Sequence, residues 1–179
     1  MYKSIPTYKD GLWSETHFEE KNDWVSYLLT LFKEPGQYEF DDTALLFNEQ
    51  AVIFNKQGFY CDKPFRSKDF NKYWEDQKFK CKEGVLYHGK KNVFYLTRDY
   101  YMWLNFLPIF DKEEKKYGFA KVRDAQYHMA LYEVLAEEHN KHVAILKKRQ
   151  IASSYFHMAK LINQFWFEEG SICKIGASL

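Results

Sequence analysis

The sequence predicts an α/β fold: a mainly helical N-terminal subdomain with a small β-hairpin, followed by the start of a core with parallel strands. Three patterns predict it. Apolar residues recur at helical spacing along much of residues 22–80, and the run VLYHGKKNVFYL (85–96) alternates around a tight turn. Residues 121–176 then follow the order helix, strand, loop, helix, strand, which favours a parallel pair with a right-handed crossover.

Composition excludes several classes of protein. Of the 179 residues 46% are hydrophobic and 20% aromatic, which excludes general disorder, and the net charge of +1 indicates no bulk attraction to nucleic acid or membranes. The three cysteines lie far apart and form no CxxC pair, which argues against a disulfide framework. With no apolar leader and no run of about 18 apolar residues, the sequence predicts a soluble, intracellular protein.

Three helices are predicted in the first half of the chain. The first covers 22–32, where Trp24 and Leu28 lie at helical spacing, and EPGQ ends it. A second is expected to begin after Asp41 and Asp42 and to continue to Gly58. A third, SKDFNKYWEDQKFK (67–80), follows a proline.

The aromatic run TRDYYMWLNFLPIF (97–110) predicts a short helix, capped by Thr97 and ended by Pro108. Its aromatic side chains could stack on nucleic-acid bases beside Arg98, or they could form core. The absence of an interleaved charged stripe favours core packing. The following segment DKEEKKYG (111–118) is expected to be a charged, exposed loop, and it separates the predicted domains 1–110 and 111–179.

Two further helices flank the predicted strand 142–146, and a second strand is expected at 171–176. The stripe expected to be apolar in the first of these helices contains Ala125, Met129, Tyr132 and Ala136. In the second it contains Tyr155, Met158, Ala159, Ile162 and Phe165.

The turn KKRQIASS (147–154) joins the strand to the second helix, which is the layout of a phosphate-binding loop. Against the pattern GxxxxGK[ST], Ala152 replaces the second glycine and Ser153 replaces the lysine, while Ser154 keeps the magnesium-binding hydroxyl. Lys147, Lys148 and Arg149 could supply the missing charge, because residues 139–167 contain no acidic residue. The alternative is an ordinary basic crossover connection.

Residues 121–166 resemble the start of the ATPase domain of the large terminase subunit, the DNA-packaging motor of tailed bacteriophages. Arg123, Asp124 and Gln126 match the RDxQ segment that in this family contacts adenine. The aromatic run before them is also similar, so the resemblance extends from about Val93 to Leu179.

One version of the family's phosphate loop reads RQxGK[ST]. Arg149, Gln150 and Ser154 match it, while Ala152 and Ser153 depart from it. The loss of the glycine restricts the backbone, and the loss of the lysine leaves the phosphate charge to Lys147, Lys148 or Arg149.

The resemblance implies a P-loop (ASCE-type) ATPase core that binds ATP and Mg²⁺ and works in the host cytoplasm as a homo-oligomer. Arg149 or Lys147 would supply the cation, Ser154 the Mg²⁺ contact, and Gln126 with Arg123 the adenine side. The implied partners are double-stranded DNA, the phage portal and the small terminase subunit, with no membrane. The catalytic carboxylates are expected beyond Leu179, so this chain alone is expected not to hydrolyse ATP. The alternative is a non-catalytic phage assembly module.

Histidine and cysteine offer weaker candidates. His142 and His157 flank the loop, where structural roles are favoured over catalytic ones. Cys61, Cys81 and His88 match no compact zinc motif, and ordinary free thiols explain the cysteines better.

Overall fold

A computed structural model describes residues 1–111, 115–146 and 153–173, and within them the chain is an α/β protein with six α-helices and a mixed four-stranded sheet. The predicted α/β class is therefore confirmed. Four strands form the sheet: Lys3–Lys9 (β1), Leu12–Phe18 (β2), Val85–His88 (β3) and Val93–Leu96 (β4). Their order is β2-β1-β3-β4, with β1 parallel to β3 and the other neighbours antiparallel.

The hairpin β3–β4 was predicted from its sequence, whereas the hairpin β1–β2 was not. Asp10 and Gly11 connect β1 and β2 with φ angles of 51° and 83°. Both central residues of a two-residue I′ turn need positive φ, and Asp-Gly is a preferred pair for it. This dipeptide was the signal that would have revealed the hairpin.

The first helices follow local sequence signals. Helices α1 (Lys21–Thr30) and α3 (Lys68–Glu83) confirm the prediction, and the Ser67 side chain caps α3 by accepting from Phe70 N. The single helix expected to begin after Asp41 and Asp42 and to continue to Gly58 is wrong. The chain forms a short 3₁₀ helix, Asp42–Leu46, and then α2, Glu49–Gln57.

The break before α2 has a tertiary cause. Asn105 Nδ2 donates to Phe47 O at 2.8 Å, and Asn105 Oδ1 accepts from Gln50 N at 3.0 Å. The distant side chain thus binds backbone groups that a continuous helix would have paired internally.

Helix α4 (Arg98–Phe106) begins at Thr97, whose side chain accepts from Tyr100 N as predicted. It is buried along most of its length, with Tyr100, Tyr101 and Trp103 at most 2% exposed. These aromatic rings are therefore core, which excludes base stacking by them.

The segment expected to be a loop at 111–118 instead contributes to a small hairpin. Strands β5 (Ile109–Asp111) and β6 (Lys116–Gly118) pair antiparallel. Residues before and after this hairpin, from both predicted domains, contribute to one buried hydrophobic cluster. The division at 110 stays a prediction.

Helices α5 (Asp124–Glu138) and α6 (Ser153–Phe167) have the expected positions, but their predicted buried faces are only partly right: Met129 and Ala159 are buried as expected, and most of the other predicted residues are not. In α5 the predicted Tyr132 is 50% exposed, while Tyr127 packs against aromatic residues of the core. In α6 the buried residues are Ser153, Phe156, Ala159 and Asn163, and Tyr155, Met158 and Phe165 are exposed. Both helices carry apolar residues on several sides, so the neighbouring elements decide which side is buried.

The predicted strand at 142–146 is also wrong, because this segment lies in no strand. Residues 171–173, the described part of the second predicted strand, are likewise outside any strand, and 174–176 lie outside the described residues. A strand is stabilised by pairing, and no described strand pairs with either segment.

Candidate functional site

Helices α5 and α6 run in the same direction; both pack against α4, and long charged side chains connect them. Glu133 of α5 lies 2.9 Å from His157 Nε2 and 2.8 Å from Lys160 Nζ of α6, and one turn later Glu137 accepts from Lys160. A residue further along α5 thus contacts a residue further along α6. Consequently, their N-terminal ends lie at the same end of the helical layer.

Three hydrogen bonds fix the start of α5. The Asp124 carboxylate accepts from Gly36 N at 2.6 Å and from Tyr38 N at 3.0 Å, and Arg123 N donates to the Tyr100 hydroxyl. Of the two residues predicted on the adenine side, Arg123 is exposed, whereas Gln126 is only 2% exposed. Of these two residues, Arg123 alone therefore presents an accessible side chain.

Helix α6 begins at Ser153, directly after the basic turn, and its first turn contains no acidic residue. Free N–H groups and the helix dipole make such an end favourable for an anion. Ser154, predicted to contact Mg²⁺, is exposed here. Ser153 is 3% exposed, so the position where the family pattern has its lysine is buried.

The remaining predicted site residues lie outside the described residues: Lys147, Lys148, Arg149, Gln150 and Ala152. Their convergence with Arg123, Gln126 and Ser154 stays a prediction.

Seven ionisable side chains from α4, α5, α6 and the residue just after α6, here named the charge cluster, meet beside α5 and α6: Arg98, Asp99, Glu133, Glu137, His157, Lys160 and Glu168. Arg98 links Glu137 of α5 to Glu168 beyond the end of α6, and Lys160 links Glu133 to Glu137. The sequence reasoning missed this cluster. Its available signal was Glu133, a carboxylate among the apolar residues of α5.

The surroundings of His157 favour its protonated form. Its Nδ1 lies 2.7 Å from Ser153 O, and its Nε2 lies 2.9 Å from a Glu133 carboxylate oxygen. A carbonyl and an ionised carboxylate only accept hydrogen bonds, so both ring nitrogens must donate. The hydrogen bond to Glu133 raises the pKa of His157 above its ordinary value, against the opposing effect of partial burial.

Glu133 provides the carboxylate that pairs with His157. Burial favours its neutral form, but hydrogen bonds from His157 and Lys160 outweigh burial and lower its pKa below the usual value. The carboxylate is therefore ionised at neutral pH and holds both cations of α6.

Asp99 is the most buried carboxyl of the charge cluster, at 3% exposure. Burial raises its pKa to about 7, although Arg98 and Lys160 act in the opposite direction. With His157 protonated, the cluster contains three cations and four carboxylates. Asp99 therefore retains its proton up to near-neutral pH, in contrast to Glu133, whose pKa is lowered.

A cleft of about 440 Å³ adjoins the charge cluster between α5 and α6. Its lining includes Lys141, His142 and Ile145 together with His157 and Lys160. The two histidines that flank the basic turn in sequence thus share one cleft.

The cysteines form no site with histidine or acidic neighbours in the described ranges. No group of three His, Cys, Asp or Glu side chains there could hold a metal ion. Burial raises the pKa of the Cys81 thiol to about 12, which makes it an unreactive core residue.

Comparisons with models of protein families, with curated proteins and with solved structures found no match. Functional inference therefore depends on the chain's own residues and their arrangement. Across residues 1–111, 115–146 and 153–173, no helix is long and apolar enough to cross a membrane.

Proposed function

We propose that the chain is the N-terminal part of a phage large terminase, an ATP-driven motor that packages double-stranded DNA into procapsids. The P-loop core would begin near residue 111, and the intact oligomer would act with the portal and the small subunit. One structural observation carries the proposal. The N-terminal ends of α5 and α6 lie at the same end of the layer, as a site formed by an RDxQ segment and a phosphate loop requires.

In this proposal the first turn of α6 and the preceding amides hold the phosphates of ATP. Arg149 or Lys147 supplies the cation that the family places on a lysine, and the exposed Ser154 hydroxyl contacts Mg²⁺. Bound Mg²⁺ neutralises charge on the phosphate oxygens. Arg123, exposed near the start of α5, reaches the adenine side, and Gln126 supports that end of the helix from its buried position.

Removing either cation is expected to weaken MgATP binding. Arg149→Ala and Lys147→Ala should each cost roughly 1.5–3 kcal/mol of binding free energy, the range for hydrogen bonds to charged groups. Calorimetric titration of the full chain with MgATP measures this loss. The control is Lys72→Ala, which removes an exposed lysine from α3, and it should bind like the parent. Unchanged affinity in both loop variants would make residues 147–154 an ordinary connection.

A second candidate is a non-catalytic phage assembly module, and the burial of Ser153 favours it. The sequence pattern suggests that Ser153→Lys, which restores the family's lysine, should leave binding unchanged or improve it. The structure argues against unchanged or improved binding in Ser153→Lys. Ser153 is 3% exposed, so an ammonium group at this position would lose its hydration. A well-folded parent chain that fails to bind MgATP would favour the module over the motor.

A further inference from the structure

Strand β2 forms an open edge of the four-stranded sheet. The order β2-β1-β3-β4 leaves β2 and β4 at the two edges. At the β4 edge, Tyr95 N donates to the Tyr127 hydroxyl of α5 at 3.0 Å. At the β2 edge no described residue pairs with the outer side of the strand, and Leu12 and Trp13 are 73% and 44% exposed. Helix α5 therefore covers one edge, while the other is open.

The turn before β2 determines which of its peptide groups face outward. Leu12 directly follows the Asp10-Gly11 turn, so its N–H bonds back across the turn and faces β1. Peptide groups alternate in direction along an antiparallel strand. Trp13, Glu15 and His17 therefore direct their N–H and C=O groups away from β1. All three residues are exposed, so a further strand can reach these groups.

Strand β2 lacks the usual features that prevent pairing at an edge. Such strands are commonly very short, or they carry a bulge or a proline. Strand β2 pairs with β1 over all seven of its residues without a bulge, and it contains no proline. Its ionisable side chains are Glu15 and His17, which lie two residues apart and thus on one face of the sheet. A partner strand would be repelled or attracted according to its register.

One register is complementary to a second copy of the same strand. In an antiparallel pair related by a two-fold axis, outward peptide groups must meet outward peptide groups. The three such axes near the middle of β2 pass through Ser14, Glu15 or Thr16. The axis at Glu15 sets this carboxylate against its own copy, and the axis at Ser14 sets it against Trp13. The axis at Thr16 sets Glu15 of each copy opposite His17 of the other, within contact distance.

We propose that two copies of this chain pair through β2 in the register centred on Thr16, which joins the two four-stranded sheets into one continuous sheet. The outward peptide groups of Glu15 and His17 form the new ladder, and their side chains form two equivalent pairs of unlike charge. The contact uses the same surface on both copies, so it closes at the dimer. It depends only on residues 12–18 and is independent of the proposed ATP site.

Charge exchange tests the pairing by sedimentation velocity of the full chain at about pH 6, where histidine is largely charged. The parent should form a dimer. His17→Glu sets carboxylates against each other and Glu15→His sets imidazolium groups against each other, so each should weaken dimerisation roughly tenfold or more. The double variant Glu15→His, His17→Glu restores both unlike pairs and should regain most of the affinity. The control is Lys121→Glu, an exposed residue before α5, which should dimerise like the parent.

Disulfide formation tests the register. In Thr16→Cys the two thiols lie on the axis, with Cα atoms about 4.5 Å apart, which is within the range of a disulfide. Ser14→Cys is the matched control on the same face of the same strand. Its two copies would be separated by four residues along the strand, about 13 Å, which is too far for a bond. Oxidation should therefore give a covalent dimer in Thr16→Cys and not in Ser14→Cys or the parent.

Three results would overturn the inference. The first is a parent chain that stays monomeric up to high micromolar concentration. The second is a dimer that neither charge variant weakens, because its contact would lie elsewhere. The third is a Ser14→Cys chain that crosslinks as readily as Thr16→Cys, because its register would be different. Circular dichroism of each variant distinguishes loss of the dimer from loss of the fold, and recovery in the double variant provides the same check.

Discussion

Asp99→Asn is expected to stabilise the protein relative to the parent at about pH 8 and to lose this advantage as pH falls to about 4. Asp99 is buried, its pKa is raised to about 7, and its Oδ1 has no hydrogen-bond partner among the described residues. Between the unfolded pKa near 3.9 and the folded value, the unfolded chain gives up the proton first, so rising pH favours unfolding. One pKa unit corresponds to about 1.4 kcal/mol, which makes the alkaline penalty on the order of 4 kcal/mol.

Urea unfolding of both proteins across this pH range measures the difference in free energy of unfolding. Asp69→Asn is a matched control, because Asp69 occupies the same position after the capping residue of α3 that Asp99 occupies in α4. Asp69 is exposed, so its replacement should give no comparable pH dependence. Parallel stability curves for the parent and Asp99→Asn would show that Asp99 is ionised at an ordinary pKa in the folded protein.

Asn105→Ala is expected to lower the free energy of unfolding by roughly 2–4 kcal/mol. The side chain is 0% exposed, and it bonds Gln50 N, Phe47 O and Tyr101 O. Alanine would leave the Gln50 N–H and the Phe47 carbonyl without these partners in the interior, and it would leave a cavity. Since these bonds fix the start of α2, the loss should affect the whole helix.

Denaturant titration of Asn105→Ala tests this expectation, with Asn71→Ala on the exposed side of α3 as the control. The control should remain within about 0.5 kcal/mol of the parent, as surface substitutions usually do. A loss below about 1 kcal/mol in Asn105→Ala would mean that water or other groups replace the three bonds.

Capping residues and the alternating pattern around a turn predicted those helices and strands whose ends are determined by residues close by in the sequence. Thr97 and Ser67 accept hydrogen bonds at the starts of α4 and α3, and the alternation around the turn predicted β3–β4. Such features depend on contacts a few residues apart, so the sequence contains them directly. The division of the predicted helix before Gly58 depends on Asn105, which lies more than forty residues further along the chain.

For the candidate site, the sequence by itself determined the residue types: a basic turn without acidic neighbours, a retained Ser154 and an RDxQ match in α5. Only the tertiary structure decided that α5 and α6 run in the same direction, that Ser153 and Gln126 are buried, and that His157 bonds Glu133. The reason is physical. Helical periodicity gives the faces of a helix, but burial and charge state depend on which distant groups pack against each face, and these determine hydration and available hydrogen-bond partners.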